Sequence, residues 1–96
     1  MTREEALDLA EAFLGEEYSE TPPTIVMRPE LTREHGWAWE VHFDTREWME
    51  QRDPKYRMMI TLIVVPTDGS GVHFMPSAFT TSEAEAYLAS GLWPER

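Results

Sequence analysis

Hydrophobic and polar residues alternate strictly from Trp37 to Asp44, which is the clearest pattern in the chain. A period of two is typical of a β-strand with one buried and one solvated face. We therefore expect an antiparallel sheet that is covered on one face and open to water on the other. The side chains expected to face the core are Trp37, Trp39, Val41 and Phe43.

Apolar residues at helical spacing predict one helix near each end of the chain. The first helix, residues 2–14, begins with a capping-box pair, Thr2 and Glu5, and is expected to stop at Gly15. The second helix follows three overlapping N-cap candidates, Thr80, Thr81 and Ser82, and is expected to stop at Gly91. Two capping boxes are possible there, Thr80 with Glu83 and Ser82 with Glu85.

Three further strands are expected around the alternating one. Thr24–Arg28 lies between prolines, which favours an edge strand. Met58–Val65 is continuously apolar and predicts a central strand, which a hairpin turn connects to a short strand over Val72–Met75. This order predicts one domain, residues 1–96, with an α+β fold. In that fold an N-terminal helix packs on a four-stranded antiparallel meander sheet, and a short C-terminal helix follows.

The charge of the chain excludes several classes of partner. Its 96 residues include 18 acids and 8 bases, for a formal net charge of −10 at pH 7. A field of this sign repels nucleic acids and anionic membranes and attracts basic proteins. The chain has no cysteine, which excludes disulfides and thiolate chemistry. Because its first residues are charged rather than apolar, it resembles no secretory precursor, and we expect a cytoplasmic protein.

No arrangement of residues in the sequence predicts catalysis or a bound cofactor. The three histidines are His35, His42 and His73, and their spacing matches no established zinc motif. Glu40 and His42 share a strand face, and His73 would join them if the second and fourth predicted strands were neighbours. We therefore expect no enzyme activity, no metal and no cofactor. Ligand binding by this sheet face is an open alternative.

Acidic residues without a role in helix capping are concentrated in the connector 16–23 and in the charged loop 45–57. Periodicity does not assign Trp48 to the core. It either anchors the loop on its own sheet or contacts a partner, because Trp, Met and Arg are enriched in interfaces. We predict a partner-binding surface from these two segments, composed of Glu16, Glu17, Glu20, Glu47, Trp48, Met49, Glu50 and Asp53.

Short motifs along nearly the whole chain resemble those of the YrhB-type immunity proteins of bacteria. They are the Thr-Arg-Glu-Glu-Ala start, Gly36-Trp37, Arg52-Asp53-Pro54, Asp68-Gly69-Ser70 with Val72-His73, and Glu85 to Leu88. The chain resembles a divergent member, because Arg57 to Thr61 replaces a glycine-rich stretch that is usual before the central strand. The resemblance implies a small cytoplasmic protein that binds and neutralises a cognate toxin, and it assigns no site residues.

Two functions from different classes therefore remain open. The first is an acidic inhibitor of a basic toxin domain. The second is a small-molecule-binding or accessory domain that lacks catalytic activity and uses Glu40, His42 and His73. Under either function, the edge strand Thr24–Arg28 offers a route to a homodimer.

Overall fold

The computed structural model describes residues 1–93, which form an antiparallel sheet with a long helix before it and a short helix after it. The α+β prediction is therefore confirmed. No helix in the described residues has the length and apolar character needed to cross a membrane. The elements are α1 (Arg3–Glu17), β1 (Ile25–Met27), β2 (Arg33–Glu34), β3 (Ala38–Thr45), α2 (Arg46–Gln51), β4 (Leu62–Pro66), β5 (His73–Phe74) and α3 (Thr81–Ser90), with 3₁₀ turns at Pro29–Leu31 and Pro54–Tyr56.

The sheet is a meander in which the four predicted strands follow each other in chain order, β1-β3-β4-β5. All pairs are antiparallel. β1 is an edge strand, as predicted. The sequence did not reveal β2, which pairs with β3 through Arg33↔Glu40 and Glu34↔Trp39. β1 and β2 occupy the same edge of β3, because β4 occupies the other.

α1 covers one face of the sheet and α3 packs on part of the other, so the expectation that the second face is open to water is only partly right. One core lies beneath α1 and contains Trp39, Val41 and Phe43, as the alternation predicted. A second core lies beneath α3, where Ala38 is fully buried against Tyr87 and Leu88.

Trp37 belongs to the second core, not to the α1 face where the alternation placed it. It precedes β3, so the alternation of the strand does not fix its direction. Its indole Nε1 donates a hydrogen bond to the Leu88 carbonyl at 2.8 Å, and its ring centroid lies 5.2 Å from that of Tyr87. The end of α3 thus determines where Trp37 lies.

The capping box predicted for α1 is confirmed, and of the two capping boxes possible at α3 the structure has the first. Thr2 and Glu5 cap α1, Thr80 and Glu83 cap α3, and Gly91 ends α3 in the left-handed conformation. Gly15 does not end α1, which continues to Glu17.

The interior glycine costs α1 about 1 kcal/mol relative to alanine. Aromatic packing beyond Gly15 favours continuation of the helix, because the Tyr18 ring lies 6.3 Å from both Phe43 and Phe74.

Two expectations about the middle of the chain are corrected by the structure. The predicted loop 45–57 contains the short helix α2, which Thr45 caps by accepting from the Trp48 N–H. The strand predicted over Met58–Val65 begins only at Leu62. In the β4–β5 register Pro76 falls opposite Thr61, and proline has no N–H to extend the ladder.

Substitution by alanine is predicted to have opposite effects on stability at Gly91 and at Gly15. A Cβ at Gly91 would lie 3.1 Å from Trp37 Cδ2, and its φ of +74° disfavours any side chain. Gly91→Ala should destabilise the protein by about 2 kcal/mol. Gly15→Ala meets nothing within 4 Å and should stabilise it by about 0.5–1 kcal/mol. Urea unfolding measures both values, and a stabilising Gly91→Ala would contradict this packing of α3.

Candidate functional site

Three of the predicted contact residues form an exposed acidic surface at the end of α1. Glu16 and Glu17 belong to the last turn of the helix, and Glu20 follows it. None of the three forms an ion pair within residues 1–93. We call these three residues the acidic connector surface. Glu17 and Glu20 also line a shallow groove with Tyr18, Ser19, Pro22 and Pro23.

Two other predicted contact residues are used inside the protein. Glu47 accepts a hydrogen bond from the Thr24 N–H at 2.7 Å, and this bond holds the pKa of Glu47 below its usual range. Asp53 caps the second 3₁₀ turn by accepting from the Lys55 N–H at 3.1 Å. These carboxylates therefore shape the loop, a role that the sequence did not indicate.

The connector and α2 meet at Thr24. The Thr24 carbonyl accepts from the Arg46 N–H at 2.9 Å, while its own N–H donates to Glu47. The structure therefore connects the two segments that were predicted to bind a partner, although the predicted residues do not form one continuous carboxylate cluster.

Trp48 lies in a cationic environment rather than an acidic one. It is half-buried, as is Met49. The guanidinium carbons of Arg52 and Arg57 each lie 5.4 Å from the Trp48 ring. Glu50 is exposed, and its carboxylate is 4.0 Å from Arg46. Contacts between the arginines and the indole are attractive because the ring face is negative.

A buried charge network that the sequence only partly predicted centres on Glu40, whose side chain is 8% exposed. His42 Nε2 donates to Glu40 Oε2 at 2.6 Å, and His35 Nε2 donates to Oε1 at 2.8 Å. Arg33 also pairs with Oε1, at 3.0 Å. The missed partners Arg33 and His35 precede the turn at Gly36 and fold back on β3. A hairpin prediction at Gly36 would have located them.

The network favours the ionised form of Glu40. Burial opposes ionisation, but hydrogen bonds from His42 and His35 and the Arg33 charge outweigh it and lower the pKa of Glu40. Both carboxylate oxygens already have donors within the protein.

His73 does not join Glu40 and His42. Glu40 pairs with Val64, and Val64 pairs with His73, so Val64 separates the two polar residues along one row of the sheet. His73 Nε2 instead lies 2.8 Å from the Tyr87 hydroxyl on α3. Within residues 1–93, no group of three or more potential ligand residues could hold a metal ion.

Substitution of Glu40 tests the network. Glu40→Gln leaves the histidines and Arg33 without a carboxylate, and it should lower the free energy of unfolding by about 2 kcal/mol at pH 7. Glu34→Gln is the matched control, because Glu34 is exposed and forms no ion pair within the described residues. Its effect should stay within about 0.5 kcal/mol.

The Glu40 contribution should also depend on pH. A lowered pKa in the folded state means that the stabilisation is fully present above the unfolded value and is lost as the pH falls through the folded value. The difference between wild type and Glu40→Gln should therefore shrink below pH 4.5, the usual value for glutamate. A difference that stays constant from pH 7 to pH 3 in urea unfolding would contradict this assignment.

Comparison with known proteins identifies a family. A sequence model described as Immunity protein 35 matches residues 4–90, which include all the helices and strands except the first residue of α1. No significant match was found among curated proteins, and none among solved structures. Because the match spans nearly the whole chain, this protein belongs to the Immunity protein 35 family.

Proposed function

We propose that this protein is a cytoplasmic immunity protein that neutralises a cognate bacterial toxin by binding it stoichiometrically, without catalysis. The family match over residues 4–90 is the observation that carries the proposal. The motif resemblance to YrhB-type immunity proteins agrees with it, and we propose that the chain is a divergent member of that group.

The exposed carboxylates support a basic toxin domain as the partner. Other acids have roles within the fold: Glu5 and Glu83 cap helices, Glu40 is buried, and Glu47 and Asp53 hold the loop. The acidic connector surface has no such role among the contacts described. With a net charge of −10, the protein would accelerate its encounter with a basic domain.

An interface also needs apolar contact area beside its charges. Trp48 and Met49 are half-buried and present part of their surface near the exposed Glu50. Met59 is 94% exposed, beside an apolar groove lined by Met58, Ile60 and Phe74 among others. We propose that these side chains contact the toxin, while Glu47 and Asp53 shape the surface instead of touching the partner.

The proposal includes the free edge of β1 as a route to a homodimer. β1 lies at the end of the sheet order within the described residues, and an exposed edge can pair with a second copy. Sedimentation over a range of protein concentrations would detect this association, and a monomer at all concentrations would contradict it.

Removing the three connector charges should weaken toxin binding. We expect Glu16→Gln/Glu17→Gln/Glu20→Gln to slow association with the cognate toxin domain by about tenfold at low salt. Wild-type association should itself slow steeply as salt rises, because exposed charges are screened. Surface plasmon resonance at several salt concentrations measures both effects.

A matched variant separates local contact from total charge. Glu4→Gln/Asp8→Asn/Glu11→Gln removes the same charge from exposed positions of α1 outside the acidic connector surface. It should change the association rate less than the connector variant does. Equal effects of the two variants, or salt-independent binding, would contradict docking through the connector.

A further inference from the structure

The positive charges of the chain are concentrated in one segment that lies outside the acidic connector surface. Four of the eight Lys and Arg residues lie within residues 46–57, in a protein with 18 acids. They are Arg46, Arg52, Lys55 and Arg57. This segment holds only three acids, and two of these, Glu47 and Asp53, already accept backbone hydrogen bonds.

Three of these cations have no carboxylate partner within residues 1–93. Four other arginines each contact an oxygen atom. Arg3 donates to the Pro29 carbonyl, and the other three pair with carboxylates: Arg28 with Glu30, Arg33 with Glu40, and Arg46 with Glu50. Arg52, Lys55 and Arg57 lie over aromatic rings instead. Acids outnumber bases more than twofold, so unpaired cations are unexpected unless they serve another contact.

The arrangement around Trp48 is held in place before any partner arrives. Thr45 is fully buried; its hydroxyl caps α2 at the Trp48 N–H and donates to the Tyr56 carbonyl at 2.8 Å. The Thr45 hydroxyl therefore connects the start of α2 to Tyr56, near the end of the segment 46–57. A guanidinium over an indole keeps its charge and its N–H donors, which match a carboxylate in geometry.

We propose that Trp48, Arg52, Lys55, Tyr56 and Arg57 form a cationic surface that binds a carboxylate-rich segment of a partner protein. An extended nucleic acid is disfavoured as the occupant, because its phosphates would also meet the acidic remainder of the chain. A short acidic segment can contact the cationic surface alone. That the partner is the toxin rests on the proposed function, whereas anion binding by this surface does not.

Fluorescence anisotropy with a labelled oligoglutamate peptide tests the cationic surface on the full chain. Wild type should bind saturably at low salt, and Arg52→Gln/Arg57→Gln should bind about tenfold more weakly or worse. Arg3→Gln/Arg28→Gln makes the same change in net charge outside the surface and should retain wild-type affinity within about twofold.

A second double variant covers the risk that Arg52→Gln disturbs the end of α2, where Arg52 adopts the left-handed conformation. Lys55→Gln/Arg57→Gln leaves Arg52 intact and should also lose oligoglutamate binding while keeping its circular dichroism spectrum. No binding by wild type, or equal losses in the Arg3/Arg28 variant, would overturn the proposal. Equal binding of oligothymidylate through the same arginines would overturn the assignment to a protein segment.

Binding of labelled oligolysine, measured in parallel, distinguishes the cationic surface from the proposed docking through the acidic connector surface. It should bind the acidic connector surface and should remain bound in both cationic-surface variants. Failure of oligolysine alone would count against the acidic docking surface and leave the cationic surface supported. Failure of oligoglutamate alone would overturn the cationic surface and leave the acidic one intact.

Discussion

The structure depends on the enclosure of β3. This strand pairs with β1 and β2 on one edge and with β4 on the other, while α1 covers one of its faces and α3 packs on part of the second face. A polar residue inside it must therefore find partners within the protein. Glu40 does so through three basic side chains, two of them from the segment that carries β2. We propose that partners bind instead at exposed charges near the end of α1 and in the segment that contains α2.

Features fixed by neighbouring residues were predictable from the sequence. The capping box of α1 and the Gly91 stop depend on residues within one helical turn, so their spacing was sufficient, and at α3 spacing reduced the capping boxes to two. The alternation of β3 also located one core correctly. The sequence could not show that α3 packs on the other face and contacts Trp37, or that α1 continues past Gly15 to Glu17 beside Tyr18. These features depend on contacts between distant parts of the chain.

The candidate surfaces were predictable to a lesser degree. The exposure of Glu16, Glu17 and Glu20 could be inferred from the sequence, because no helix-capping role accounted for these acids. The structural role of Glu47 in the loop could not be inferred, because it accepts a hydrogen bond from the Thr24 N–H, which is distant in sequence. The cationic environment of Trp48 was also hidden, because α2 is too short to show a helical stripe and its folding brings Arg52 and Arg57 to the ring. We therefore propose two surfaces of opposite charge, whereas the sequence predicted one partner-binding surface composed of both segments.

Neutralisation by binding is the central claim, and a titration of toxin activity tests it most directly. The activity of the cognate toxin domain would be assayed while the purified full chain is added. The account predicts that activity falls linearly to zero at one equivalent, with a stable complex of the two proteins on a sizing column. Full toxin activity at a large excess of this protein, with no complex formed, would contradict the account.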